Sequence, residues 1–228
     1  MSFILNIDTA TDIAYISLSR DGEILGEISN ANQKDHGSFL QPAIEALLQK
    51  TSIALKDLDA VAVAAGPGSY TGLRVGMASA KGLCYALNKP LINISTLEIL
   101  AFAAIKISAE ITANKALFCP MIDARRMEVF TALYDENLRI IKEPCATVLN
   151  ENSFANGLLN NPIVFFGNGS TKWKNICTHP NAVFLTDLNN PLAMSKLAST
   201  KFRNEEFADL AYVEPFYLKE FFGSELFK

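Results

Sequence analysis

Gly66-Pro67-Gly68-Ser69-Tyr70-Thr71-Gly72-Leu73-Arg74-Val75-Gly76 joins an apolar run, Leu58 to Ala65, to a stretch of helical periodicity that reaches Leu87. The run is short, almost continuously apolar and bounded by Asp57 and Gly66, the pattern of a strand buried on both faces and parallel to a neighbour. The glycine-rich turn then leads into a helix predicted over 70–87, stopped by Asn88 with Pro90 beyond it. Upstream, Phe3 to Asp8, Ile13 to Leu18 and Glu23 to Ser29 read as an antiparallel meander with a tight turn at Asp21-Gly22. Phe39, Leu40, Ile44, Leu47 and Leu48 recur at helical spacing, so a first helix is expected over 38–49, with Ser38 and Gln41 as a capping box and Pro42 in the opening turn. Downstream, Leu91 to Ile94 is another buried strand, and Ser95 with Glu98 opens a helix over 96–107.

Ser108 to Asn114 reads as a linker, after which Ala116 to Ile122, Glu128 to Tyr134 and Ile140 to Ile141 begin a second set of strands. A helix at 152–158, a strand at 163–166, the turn Gly167-Asn168-Gly169 and a helix at 191–201 complete it. Two units are expected, 1–108 and 109–228, with no repeat of solenoid length. The 228 residues are 50% hydrophobic and 19% charged, which supplies a core and excludes disorder. The longest apolar run, around Ile99 to Ile105, falls far short of a bilayer span. Cys84, Cys119, Cys145 and Cys177 form no CxxC pair, pointing to a reducing cytoplasm without disulfides. With His36 and His179 alone, and no His/Cys cluster, no metal site is assigned. A net charge of −4 argues against a protein that grips nucleic acid by itself.

Backbone donors at the start of the helix after Ser69 suit an anion, yet the glycines at 66, 68 and 72 are too widely spaced for G-x-G-x-x-G. No Gly-Lys-Ser/Thr follows either, and Ser69 does not stand in G-x-S-x-G. The same glycines equally suit a tight turn with no ligand. Within the helix, Gly72, Gly76 and Ala80 form a small-residue stripe beside Leu73, Met77, Cys84 and Leu87; a partner helix and ordinary core packing both account for it. Asp8, Thr9 and Thr11 at the first hairpin tip suit Mg²⁺ and phosphate, or simply stabilise the turn through side-chain hydrogen bonds. Arg125 and Arg126, after Asp123-Ala124, read as a solvated turn or an anion contact. His36 reads as a surface or capping residue and His179 as a loop residue. These pieces assemble no nucleophile, base and orienter.

Together with the order of elements, five segments resemble the TsaB (YeaZ) family, paralogues of the tRNA-modifying enzyme TsaD. They are Ile4 to Thr11, Gly66 to Lys81 with its Gly-Pro-Gly-Ser-Tyr-Thr-Gly-Leu-Arg string, Pro90 to Ala101, Met121 to Arg125, and Pro215 to Lys219. The resemblance implies an α/β, actin-like ATPase fold (sugar kinase/Hsp70/actin) of two related lobes, mixed sheets flanked by helices, with a partner face on the 1–108 lobe. The family's TsaD holds a metal through His-x-x-x-His on a helix whose counterpart here carries Thr96 and Leu100. Neither can ligate as imidazole does, so the resemblance implies a non-catalytic subunit that supports threonylcarbamoyl transfer to the adenosine beside the tRNA anticodon. It implies binding to TsaD as a heterodimer, with TsaE, a homodimer when alone, tRNA only through the complex, and no membrane contact. The partner face it implies comprises Phe39, Leu40, Ile44, Leu47, Tyr70, Gly72, Leu73, Arg74, Gly76, Met77 and Ala80. On this reading Gly76→Leu blocks the partner and leaves the monomer folded. Cofactors are none tightly bound, with ATP or ADP and Mg²⁺ entering at the level of the complex and weak nucleotide contacts at Asp8, Thr9 and Thr11. The alternative is an ATP-dependent small-molecule kinase or ATPase of the same fold, which requires an acidic base that the sequence does not reveal.

Overall fold

The computed structural model describes residues 1–32, 35–108, 116–186, 188 and 190–219; beyond Ser108 the expected linker lies outside the described residues. The meander is β1 (Phe3–Asp8), β2 (Ala14–Arg20) and β3 (Glu23–Asn30), followed by α1 (His36–Thr51), β4 (Ala60–Gly66), α2 (Tyr70–Leu87), β5 (Leu91–Ser95) and α3 (Thr96–Ser108). The second series is β6 (Leu117–Asp123), β7 (Glu128–Tyr134), β8 (Ile140–Val148), α4 (Ala155–Asn160), β9 (Ile163–Phe166), α5 (Ser170–Lys174), β10 (Ala182–Phe184) and α6 (Asn190–Arg203).

The first sheet runs β3-β2-β1-β4-β5 and the second, from its opposite edge, β8-β7-β6-β9-β10. In each, two antiparallel pairings build the meander and two parallel pairings add the later strands. The lobes are therefore topological copies, related although no sequence repeat betrays it. Alternation along β1 divides the first sheet's two faces. Leu5 and Ile7 pack under α1 and α2 with Leu40, Leu47 and Met77, whereas Ile4 packs under α3 and α6 with Ala103, Met194 and Ala198. Leu97, Leu100 and Ala104 of α3 also cover Phe118, Ile122 and Phe166 of the second sheet, whose far face holds Trp173 and Leu158. The order of layers is helix, sheet, helix, sheet, helix, an α/β architecture with α3 shared between the sheets.

The chain returns to the first lobe with α6, which packs on the first sheet, and beyond that helix Ala208 pairs with Leu91 and the N–H of Phe216 donates to Ala65 O at 2.7 Å. Several expected boundaries shift. The first helix begins at His36, and the capping box at Ser38 does not form: the N-cap is Asp35, without a side-chain cap, and Ser38 Oγ donates instead to Asp35 O at 3.0 Å. Pro42 consequently sits in the second turn. β8 extends to nine residues because pairing with β7 carries it through the interruption at Lys142-Glu143-Pro144, and the unexpected β10 is a three-residue, half-buried edge strand with little pattern to read.

Candidate functional site

The glycine turn clasps the β1–β2 hairpin tip. Ser69 N–H donates to Ala10 O at 2.7 Å and Thr9 Oγ1 donates to Gly72 O at 2.7 Å, while Ser69 Oγ accepts from Gly72 N–H at 3.3 Å and caps α2. A Cβ at position 68 would collide with Ala10 O, one at 72 with Thr9 O and one at 76 with Thr9 Oγ1. The glycines serve backbone approach, with φ +110° at Gly66 completing the turn. Two of the donors that an anion would need are already met from within the chain, and close backbone approach accounts for the glycines as a tight turn.

Between the lobes lies a cleft of about 620 Å³, lined by Thr11, Asp12, Tyr15 and Glu27 from one side and by Asn168, Thr171 and Leu185 from the other. Asn168 bridges the two hairpin tips, its Nδ2 donating to Asp12 Oδ2 at 2.8 Å and its Oδ1 accepting from Asp123 N–H at 2.9 Å. Asp8 is 3% exposed and accepts from Ala10 N–H; burial pushes its carboxyl up to about 6 against that hydrogen bond. Burial and the nearby Asp8 and Glu27 carboxylates also raise the Tyr15 phenol. Among the described lining residues Asp12 and Glu27 are the charged groups, with no Lys or Arg. Of the residues expected at nucleotide, Thr11 lines the cleft, whereas Asp8 is enclosed and Thr9 turns its hydroxyl onto Gly72. Arg125 and Arg126 are exposed at left-handed turn positions. His36 is buried rather than a surface residue, 3% exposed beside the Thr9 and Asp12 carbonyls, and burial lowers its pKa. His179 is a half-buried loop residue whose Nδ1 accepts from Asn181 N–H at 3.2 Å.

The expected partner face needs correction. Leu40, Ile44, Leu47, Gly72, Leu73, Gly76, Met77 and Ala80 are buried within this chain, Phe39 and Tyr70 are half-buried, and Arg74 is exposed. The stripe Gly72, Gly76, Ala80 faces the first sheet and the Thr9 tip, so Gly76→Leu would strike the chain's own fold. A second small stripe, missed in the sequence, lies outward: Ala78, Gly82 and Ala86 are all exposed, and a Cβ at Gly82 meets nothing within 4 Å. Their spacing of four was the signal available. Tyr85, 83% exposed, stands beside them. Gln41 Nε2 donates to Ser79 Oγ at 3.1 Å and ties α1 to α2, alongside a groove of about 740 Å³ lined by Ile44, Leu48, Ile53, Leu55 and Leu83.

The family model described as TsaD, tRNA N6-adenosine threonylcarbamoyltransferase, matches residues 23–219. The tRNA threonylcarbamoyladenosine biosynthesis protein TsaB of Bacillus subtilis is 38% identical over 131 residues, 58% of this chain and 54% of that protein, so the match spans about half of that relative. TsaB of Haemophilus influenzae is 29% identical over 228 residues, covering 95% of this chain and 93% of its own. YeaZ from Pseudomonas aeruginosa superposes with a TM-score of 0.78 at 24% identity, over 96% of this chain and 100% of that one. A putative N-acetylmannosamine kinase from Listeria monocytogenes superposes at 0.52 with 12% identity, over 90% and 99%. The structural likenesses establish an actin-like, sugar-kinase type of fold. The chain belongs to the tRNA N6-adenosine threonylcarbamoyltransferase family, on its TsaB branch.

Proposed function

We propose that the chain acts in forming threonylcarbamoyladenosine in tRNA as a non-catalytic scaffold that docks TsaD on the outer faces of α1 and α2. The observation that carries this reading is the outward ridge of α2. Ala78, Gly82 and Ala86 leave a smooth track on which a partner helix can approach closely, with Tyr85 and the groove beside α1 as anchor and socket. A homodimer uses the same ridge when TsaD is absent, and TsaE and tRNA meet the chain within the complex. On this reading the chain holds no nucleotide tightly of its own, and ATP or ADP with Mg²⁺ belongs to the assembled complex. The chain's place of action is the cytoplasm.

Gly82→Trp tests the reading, because position 82 is open in the monomer and tryptophan has a higher helix propensity than glycine. Titration against TsaD from the same organism is expected to show binding lost, with circular dichroism and thermal midpoint unchanged or slightly raised. Undiminished binding by the folded variant would remove α2 from the interface.

A further inference from the structure

Every exposed aromatic residue among those described lies on α2 or on the segment after α6: Tyr85, Phe207, Tyr212, Phe216 and Tyr217. That segment is a strap. Ala208, Leu210 and Val213 turn inward onto the core beneath α1 and α2, and Val213 O accepts from Lys81 Nζ at 3.1 Å. Phe216 O lies 2.5 Å from where a Cβ at Gly66 would stand, so the strap seals the glycine turn. Tyr217 then packs on Tyr70 with centroids 5.1 Å apart, and Lys219 Nζ reaches Glu128 Oε2 of the second lobe at 2.6 Å.

Closing the fold accounts for the inward residues and leaves the outward ones unexplained. Tyr212 is 82% exposed, and its side chain makes no hydrogen bond or ring contact among the described residues. Arg74 is held in place without a counter-charge. Its Nε donates to Tyr217 Oη at 3.3 Å and its guanidinium carbon lies 4.2 Å from the Tyr70 ring centroid, with no carboxylate within 4.0 Å among the described residues. A guanidinium so fixed keeps its two terminal nitrogens for a planar acceptor. Exposed tyrosine, phenylalanine and arginine together are the residues enriched at protein interfaces.

We infer that the seam between α2 and the strap, Arg74 framed by Tyr70 and Tyr217 with Tyr212 and Phe216 outward, is a docking surface for a protein partner that presents a carboxylate to Arg74. It rests on the proposed docking of TsaD in one respect: it continues the α2 ridge, so the same partner covers both. An RNA partner is disfavoured, since the strap exposes Asp209 and Glu214 and, of the cations at the seam among the described residues, Lys81 is engaged by Val213 O and Lys219 is paired with Glu128, which leaves Arg74 for phosphate.

Tyr212→Ser, Arg74→Glu and Gly82→Trp, each in the full chain, are titrated against TsaD from the same organism and separately against substrate tRNA. The expected result is that Tyr212→Ser and Arg74→Glu each weaken TsaD binding by about tenfold or more, with thermal midpoints unchanged for Tyr212→Ser. If Gly82→Trp abolishes binding while the other two leave it within about twofold, the seam is not a docking surface and the α1–α2 reading survives. If Gly82→Trp binds normally while the seam variants are weakened, the seam stands and the ridge falls. A Tyr212→Ser effect on tRNA affinity alone would overturn the assignment in favour of RNA.

Discussion

Asp8 has a carboxyl pushed up to about 6 from an ordinary 3.8, and the sign of the consequence follows from which state loses its proton first. As pH rises from about 4 to 6 the unfolded chain ionises while the folded chain does not, so stability falls across that window. The difference amounts to about 3 kcal/mol above pH 6. Asp8→Asn keeps an acceptor for Ala10 N–H and removes the titration. Thermal melts should show its midpoint above the wild type at pH 7.5 and level with it near pH 4; a wild-type advantage at pH 7.5 would show Asp8 to be a stabilising charge. Two glycines of one helix make a matching contrast. Gly76→Leu should destabilise the monomer by about 2 kcal/mol or more through its clash with Thr9 Oγ1, whereas Gly82→Trp should leave stability intact. Denaturant titration separates them, and equal midpoints would contradict the assignment of inner and outer faces.

At the scale of the element, α2 explains both what the sequence revealed and what it hid. Its limits, Tyr70 and Leu87, match the expectation because Ser69 caps one end and Asn88 takes the left-handed position at the other. The strands β1, β7 and β9 were equally legible, since alternation or continuous apolar character marks them. The direction of the helix was not legible. Small residues repeat at spacing four on two faces, 72/76/80 and 78/82/86, and local pattern cannot say which of them meets the sheet. That choice is made by Thr9 and Ala10, some sixty residues upstream, whose backbone oxygens need glycine opposite them. The burial of His36 was hidden for the same reason, because its neighbours come from the β1–β2 tip and not from its own helix. Swapping the stripes' roles is a test at this scale. Ala78→Glu with Ala86→Glu should prevent homodimerisation in sedimentation equilibrium and leave helicity unchanged; a surviving dimer would place its interface elsewhere.

At the scale of the whole molecule, two copies of one topology meet across a cleft that Asn168 bridges, and the strap crosses from α6 over β5 and α2 to Glu128. The duplication emerged from the order of strands and not from any repeated residues. Among its described lining residues the cleft presents Asp12 and Glu27 without a cation, while the proposed docking surface lies outside it on α1, α2 and the strap. The most direct measurement is threonylcarbamoyl transfer to substrate tRNA, reconstituted from matching TsaD, TsaE and the enzyme that makes threonylcarbamoyl-AMP, with the modified nucleoside scored by mass spectrometry. The account predicts modification with the wild-type chain and with Asp8→Asn, and its loss without the chain or with Gly82→Trp. Equal modification in the absence of the chain, together with ATP turnover by the chain alone on a small acceptor, would contradict it.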